Sequence, residues 1–335
     1  MLGLAVASAA LFLSACGSSG GQSTGQVSVG VTDVPVTEDV AVCLHFTGVT
    51  MHHSDGDLIE IPYEASSYDD ATNCPNNKPA ADPGSENNAI ALSELQGGLS
   101  VLLMDSEEVK AGRYNWIRLD IDEALSYVID SEGQKELSCP SCAAEQSGLK
   151  LNRGIVVPAG GAVDFMVDVD LAKALNKRPS GDYMMRPTLR LVNLAETGDI
   201  SGAVSASLIP ELISETDTGC KVYVYEGHGV EPDDYHDSDN VLTSAKVLYD
   251  AGSMTYGYTA AYLPTDSEAD PTPYSVAMTC DADDMEVDQN NDPATPATPP
   301  ETDVIFTDGE SEQMSQDVDV VTGETTVVPF PPAIP

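Results

Sequence analysis

The side chains able to do chemistry are few and scattered along 335 residues. Cys139-Pro140-Ser141-Cys142 has the spacing of redox-active dithiols. Redox catalysis at such a motif needs a low-pKa thiolate at a helix N-terminus. The flanking segments read as β structure, so the expectation is a disulfide-bonded turn. His52 and His53 stand beside Asp55 and Asp57, a set that could hold a metal, but Asp55-Gly56-Asp57 also makes an exposed polar turn, and that reading is preferred. His228 and His236 lie among Glu231, Asp233, Asp234, Asp237 and Asp239. Their spacing is not that of a zinc site, and the segment reads as a solvated acidic loop. Asp281, Asp283, Asp284, Glu286 and Asp288 offer oxygen donors of the kind calcium takes, about six to eight at a time. The run is not an EF-hand: Glu286 stands where the loop needs Gly, and Asp292 where it needs Glu. Calcium is therefore the one cofactor these residues could recruit, through a looser cluster. There is no Gly-x-Ser-x-Gly elbow between a strand and a helix, no His-Glu-x-x-His and no phosphate-cradling glycine loop. The chain is expected not to be an enzyme. An envelope redox or carbohydrate-active enzyme is the alternative from another class.

The charge balance bounds the partners. Lys and Arg number 14 against 55 Asp and Glu, a formal charge of -41. Such a surface repels nucleic acid, whose binding depends on neutralising phosphates with basic side chains. It also disfavours direct docking on anionic lipid. Salt screens self-repulsion of this size, so a salt-tolerant source fits the composition. Eleven of the 14 basic residues lie between Lys110 and Arg190, and only Lys221 and Lys246 follow. The asymmetry places a boundary near Asn193 to Asp199. Arg118, Lys150, Arg153, Arg186 and Arg190 are expected to pair with Asp120, Asp168 and Asp170 across a sheet.

The elements that must position these residues are strands. Val27, Val29 and Val31 alternate with Ser28 and Gly30, the period of a half-buried strand. Strands are also expected over Val40–Phe46, Asp57–Ile61, Ser100–Met104, Tyr114–Ile121, Ser126–Ile129, Leu149–Leu151, Ala162–Val169 and Met184–Val192. Leu171–Lys177 is the one expected short helix. The pattern restarts at Ile200–Leu208 and recurs through Lys221–Tyr225, Ala245–Tyr249, Met254–Tyr262 and Tyr274–Cys280. Beyond an acidic Pro/Asn-rich loop at 281–302, Val304–Phe306, Val318–Val321 and Thr325–Phe330 regain β character. Many short strands between Gly-rich turns predict an all-β chain of two antiparallel β-sandwich domains. Their expected ranges are 26–195 and 199–330.

Met1 to Leu13 is apolar but too short to span a bilayer, and it fits the hydrophobic part of a signal peptide. No Lys or Arg precedes it, which a start upstream of Met1 would supply. Leu13-Ser14-Ala15-Cys16 resembles the lipobox of bacterial lipoproteins, in which the cysteine is lipidated after cleavage. The resemblance implies a signal peptide over 1–15, a lipid on Cys16 and a flexible tether over 16–25. Gly17 in place of Asp implies sorting to the outer membrane, periplasmic or surface-facing. Removing Cys16 leaves six of seven cysteines, an even number expected to form disulfides in an exported protein. Among about fifteen pairings, sequence order and the boundary favour Cys43–Cys74, Cys139–Cys142 and Cys220–Cys280.

A further resemblance lies in the body of the chain. Gly30-Val31-Thr32-Asp33-Val34-Pro35-Val36 with Phe46-Thr47-Gly48-Val49 resembles the start of the DUF4382 domain of bacterial lipoproteins. Gly112-Arg113-Tyr114, Ile117-Arg118-Leu119, Ser147-Gly148-Leu149-Lys150-Leu151, Val167-Asp168-Val169-Asp170-Leu171 and Arg186-Pro187-Thr188-Leu189-Arg190-Leu191-Val192 continue it in order. Gly202-Ala203-Val204, Val222-Tyr223-Val224-Tyr225 and Tyr274-Ser275-Val276-Ala277-Met278-Thr279 are similar to carboxypeptidase-regulatory-like or transthyretin-like sandwiches. The second resemblance implies an all-β accessory module without catalytic residues, and both imply a fold rather than an activity. The expected function is a non-enzymatic envelope lipoprotein that binds or scaffolds an envelope protein or glycan. A calcium-stabilised adhesin-like module is the other reading.

Overall fold

The computed structural model describes residues 23–34, 40–63, 74, 89–142, 148–210, 217–232, 241–266, 271–280 and 315–330. The chain is all-β apart from single helical turns. The first unit contains β1 (Thr24–Val34), β2 (Ala41–His53), β3 (Leu58–Pro62), β4 (Ala89–Ala91), β5 (Val101–Lys110), β6 (Gly112–Asp130) and β7 (Gly133–Ser138). It continues with β8 (Leu149–Leu151), β9 (Ile155–Val157), β10 (Ala162–Asp170), β11 (Leu175–Lys177), β12 (Tyr183–Met185) and β13 (Leu189–Asn193). After these come β14 (Thr197–Val204), β15 (Asp217–Glu226), β16 (Val241–Asp250), β17 (Thr255–Pro264), β18 (Thr272–Thr279), β19 (Ser315–Val320) and β20 (Thr325–Val327).

Three sheets result. A four-stranded sheet has the order β13-β10-β1-β5. A nine-stranded sheet runs β11-β12-β7-β6-β2-β3, with β4 also on β2 and β8 and β9 on β6. The two enclose one core: Val27, Val29, Val31, Val167 and Val169 from the small sheet meet Phe46, Met51, Tyr114, Ile117 and Leu119 from the large one. Alternation produces this, because the period of two puts these side chains on one face of each strand. Among the described residues, the third sheet takes every strand from Thr197 onward, in the order β19-β18-β15-β16-β17-β14-β20. Its edges approach each other, and Thr326 Oγ1 donates to the Asp319 carbonyl at 3.0 Å. The sheet therefore rolls around its own core of Ile200, Val222, Val224, Val276, Met278 and Phe330. Gly202 permits the closure: a Cβ there would lie 1.8 Å from the Val328 carbonyl oxygen.

Most ladders are antiparallel, as expected, while β1–β10, β7–β12 and β14–β20 are parallel. The expected strands Tyr114–Ile121 and Ser126–Ile129 form one element, β6. Its register shifts opposite Cys43 to His45, where Ser126 Oγ accepts from the His45 N–H at 3.0 Å. The hydroxyl replaces a ladder bond at the bulge, so the strand continues. The expected helix is one turn, α1 (Leu171–Ala174), capped by Asp170 accepting from the Lys173 N–H. Leu175–Lys177 then pairs with β12. Tertiary pairing outweighs local propensity over so short a segment.

The alternation of β1 predicts a polar face in water, yet Ser28 and Thr32 are buried. The third sheet covers that face. Tyr223, Tyr225, Val241 and Ala277 pack into the first unit's core. Tyr262 donates its hydroxyl to the Gly98 carbonyl at 2.8 Å, and Lys173 Nζ donates to the Val241 carbonyl at 3.3 Å. The seam carries charge: Asp33 and Asp168 are buried in it, and Arg190 binds Asp168.

Candidate functional site

The outer face of the nine-stranded sheet is set out by register. Across β3, β2 and β6, Leu58 stands beside His52 and Trp116, Glu60 beside Thr50 and Arg118, and Pro62 beside Gly48 and Asp120. Lys150 on β8 adjoins Arg118 from the other side. On β6, Trp116, Arg118 and Asp120 alternate with the core residues Ile117 and Leu119, so period two alone presents them together.

These side chains hold one another. Arg118 Nε donates to Asp120 Oδ1, and its Nη2 donates to Thr50 Oγ1 at 3.0 Å. Thr50 Oγ1 in turn donates to Asp120 Oδ2 at 2.6 Å. A guanidinium has about five N–H donors, and the named bonds use two of them. Arg118 lines the groove although the residue is only 9% exposed. His52 stacks on Trp116 at 5.2 Å, and Lys150 Nζ lies 4.2 Å from the same ring centroid. These partners come from strands on opposite sides of β6, so the only Trp of the chain is held from both flanks.

Beside this network is an open groove of about 490 Å³, within the ~300–1,000 Å³ range of small-ligand sites. Thr47, Thr50, Glu60, Arg118 and Asp120 supply its polar groups, and Ile61, Pro62 and Ile121 its apolar wall. Cys142 and Gly148 close one side. Gly148 has φ +112°, and a Cβ there would come 2.7 Å from the Leu119 carbonyl oxygen, so only glycine lets the chain lie on the Arg118 stem. Chemically the groove offers fixed donors and acceptors. Asp120 has both oxygens engaged by Arg118 and Thr50, and no Ser, Cys or Thr beside it is paired with a histidine base.

The residues singled out by sequence fall in different places. Cys139 and Cys142 are joined as a disulfide, with the Cys142 N–H donating to the Cys139 carbonyl at 2.8 Å in a tight turn. Cys43–Cys74 and Cys220–Cys280 are joined too. His52 and His53 diverge. His52 joins the outer face, while His53 is buried edge-on to Tyr114 at 5.0 Å, and burial pushes that phenol up to about 12. His53 Nδ1 also lies 2.6 Å from Asp55 Oδ1. Lys110 binds both Asp55 and Asp57, and its ammonium holds the Asp55 carboxyl well below the usual range. Asp55-Gly56-Asp57 is thus a turn closed by a lysine. His228 lies 3.1 Å from Asp319, and His236 is outside the described residues. Cys16 and the run Asp281, Asp283, Asp284, Glu286 and Asp288 are outside them as well. Among the described residues no group of three or more His, Cys, Asp or Glu is arranged to hold a metal. Of the expected cross-strand ion pairs, Arg190–Asp168 spans β13 and β10 with Nη2 to Oδ2 at 2.6 Å. Arg118–Asp120 forms instead within one strand, and Arg153 donates to the Leu191 carbonyl.

Residues 24–187 match the family described as "Domain of unknown function (DUF4382)". Every residue lining the groove lies inside that segment. No curated protein matches the chain. Among solved structures, the minor pilin GBS52 of Streptococcus agalactiae is 7% identical, with 92% of this chain and 98% of that one covered and a TM-score of 0.20. The fimbrial adhesin FimA of Actinomyces is 11% identical, with 89% of each chain covered and a TM-score of 0.19. The fimbrial anchor protein Mfa2 of Porphyromonas gingivalis is 14% identical, with 75% and 78% covered and a TM-score of 0.16. TM-scores of this size do not establish a common fold.

Proposed function

We propose that this chain is a non-enzymatic envelope lipoprotein whose DUF4382 segment binds a hydroxyl-rich glycan in the groove beside Arg118. The observation that carries the reading is the Arg118–Asp120–Thr50 network, which fixes a buried guanidinium in place and leaves donors uncommitted. Sugar hydroxyls need donors and acceptors side by side, which Arg118, Glu60, Thr47 and Thr50 supply. Ile61, Pro62 and Ile121 suit the C–H faces of a pyranose ring. The second unit, with its rolled sheet, serves in this reading as a carboxypeptidase-regulatory-like support without a site of its own.

Anchoring through Cys16 rests on the lipobox and on parity. Six of the seven cysteines are taken up in three disulfides, which leaves Cys16. Disulfides persist in oxidising compartments, in keeping with export. No helix among the described residues is long and apolar enough to cross a membrane. Gly17 favours the outer membrane in this proposal.

Trp116 makes the groove measurable, because it is the only tryptophan. Titration with purified envelope polysaccharide should change its emission saturably. Arg118→Ala should weaken that response at least about tenfold, the equivalent of one hydrogen bond to a charged group, roughly 1.5–3 kcal/mol. An unchanged midpoint in Arg118→Ala would remove the groove from the reading. For the anchor, mass spectrometry of the membrane fraction should find a chain beginning at a diacylated Cys16. A mature chain with a free Cys16 thiol would refute it.

A further inference from the structure

Lys150 is a cation that the groove network does not use. It is exposed, and its ammonium lies 4.2 Å from the centroid of the Trp116 ring. Arg118 Cζ lies 5.8 Å from the same centroid, and the His52 ring 5.2 Å. One indole thus gathers a guanidinium and an ammonium. Arg118 is also part of the groove wall. The register sets Lys150 directly beside it, one strand spacing of ~4.8 Å away. An ammonium therefore stands one strand beyond the wall that Arg118 forms.

The neighbouring charges leave that ammonium without a carboxylate. Asp120 is bound by Arg118 and Thr50, and Asp55 and Asp57 by Lys110. Glu60 has no ion-pair partner among the described residues, but it is separated from Lys150 by Thr50 and Arg118. Three strand spacings put it about 14 Å away. On the other side of β6 the balance is basic. Residues 148–157 include Lys150 and Arg153 and no acid. Arg113 lies along this segment, where a Cβ on Gly154 would come 2.7 Å from its Nη2. Arg153 donates to the Leu191 carbonyl, while Arg113 and Lys150 have no carboxylate partner among the described residues. In a chain with 55 acids to 14 bases, composition alone would not leave such a margin. The acids elsewhere on the chain act on it weakly, because salt screens exposed charges beyond about 8 Å at physiological ionic strength.

We propose that the glycan bound in the groove is an acidic one, and that Lys150 takes its carboxylate or sulfate ester while the sugar ring lies beside Arg118. The inference rests on the groove reading and names the class of its ligand. A lysine suits either oxyanion, because its three donors turn freely about a point charge. Hydrogen bonds of this charged kind are about twice as strong as neutral ones.

The test uses the full chain and purified envelope polysaccharide in native form, carboxyl-reduced with carbodiimide and borohydride, or desulfated. Trp116 emission gives the midpoint of each titration at one ionic strength. The native form should bind at least about tenfold more tightly than one of the two neutralised forms, as loss of a charged hydrogen bond requires. The form that loses affinity tells carboxylate from sulfate. Lys150→Gln should bring the midpoints together, and Lys150→Arg should keep them apart. Lys150 is exposed, so neither substitution disturbs the core. Equal midpoints for all forms, each still weakened by Arg118→Ala, would overturn the acidic subsite and leave the groove reading standing. A difference between forms that survives Lys150→Gln would overturn the role of Lys150. No response from any form would sink the groove reading, and this inference with it.

Discussion

Replacing Cys220 and Cys280 by alanine should lower stability by about 4 kcal/mol. The bond joins residues 60 apart, and loop-closure entropy for a span of that size gives ~4 kcal/mol at 25 °C. It ties β15, at the centre of the rolled sheet, to the end of β18, and Cys220 is fully buried in that core. The same substitution at Cys139 and Cys142 closes a span of only three and should cost about 2 kcal/mol or less by the same relation. Denaturant midpoints of the two double variants, compared under oxidising conditions, check the ordering. Equal losses would show that the long loop is already constrained in the unfolded chain.

Arg190→Met should cost about 3–5 kcal/mol, because it strands a buried carboxylate whose partner is gone. Asp168 is 4% exposed and lies beside Asp33, whose carboxyl burial pushes well above the usual carboxylate range, with Asp168 adding to the effect. Removing the guanidinium therefore leaves two acids facing one another at the seam. The double variant Arg190→Met, Asp168→Leu should recover most of the loss, since an apolar pair of similar volume is often neutral in place of a buried ion pair. Asp33 also sets a sign with pH. Its folded-state pKa exceeds the unfolded value near 3.8, so the folded state binds the extra proton and this group lowers stability as pH rises from that value toward the folded pKa. Asp33→Asn should flatten that part of the profile. An unchanged slope would assign the pH dependence to other carboxylates.

Sequence made the β character and the faces of single strands legible. Val27, Val29 and Val31 face the core as their alternation requires. It did not reveal what lies on the other side, because Ser28 and Thr32 look the same against water as against a polar seam. Lys221 shows the limit: it reads as a surface lysine but is 2% exposed and stands opposite Lys246 in the third sheet. The groove escaped for a different reason. Its residues come from Thr47–Pro62, Arg118–Ile121, Cys142 and Gly148, and no linear spacing joins them. One signal was present. Trp116, Arg118 and Asp120 share a parity opposite to Ile117 and Leu119, which places an aromatic, a cation and an acid together on the face away from the core. Reading Arg118 and Asp120 as cross-strand partners concealed that they are neighbours along one strand. Cysteine pairing was legible because parity and chain order left few sensible choices.

The position of β1 has a mechanical consequence. It is the first described strand, and it lies between β10 and β5, with a run of parallel pairs from Gln26–Ala162 to Val34–Asp170. Tension on the chain ahead of Thr24 acts along this strand and loads the ladders on both flanks in shear. The bonds then share the force and must fail together, unlike the hydrogen bonds of a hairpin pulled open from its end. A protein tethered through its N-terminus would thus be gripped at a strand loaded in shear, and drag on whatever the groove holds would pass through that strand on its way to the tether.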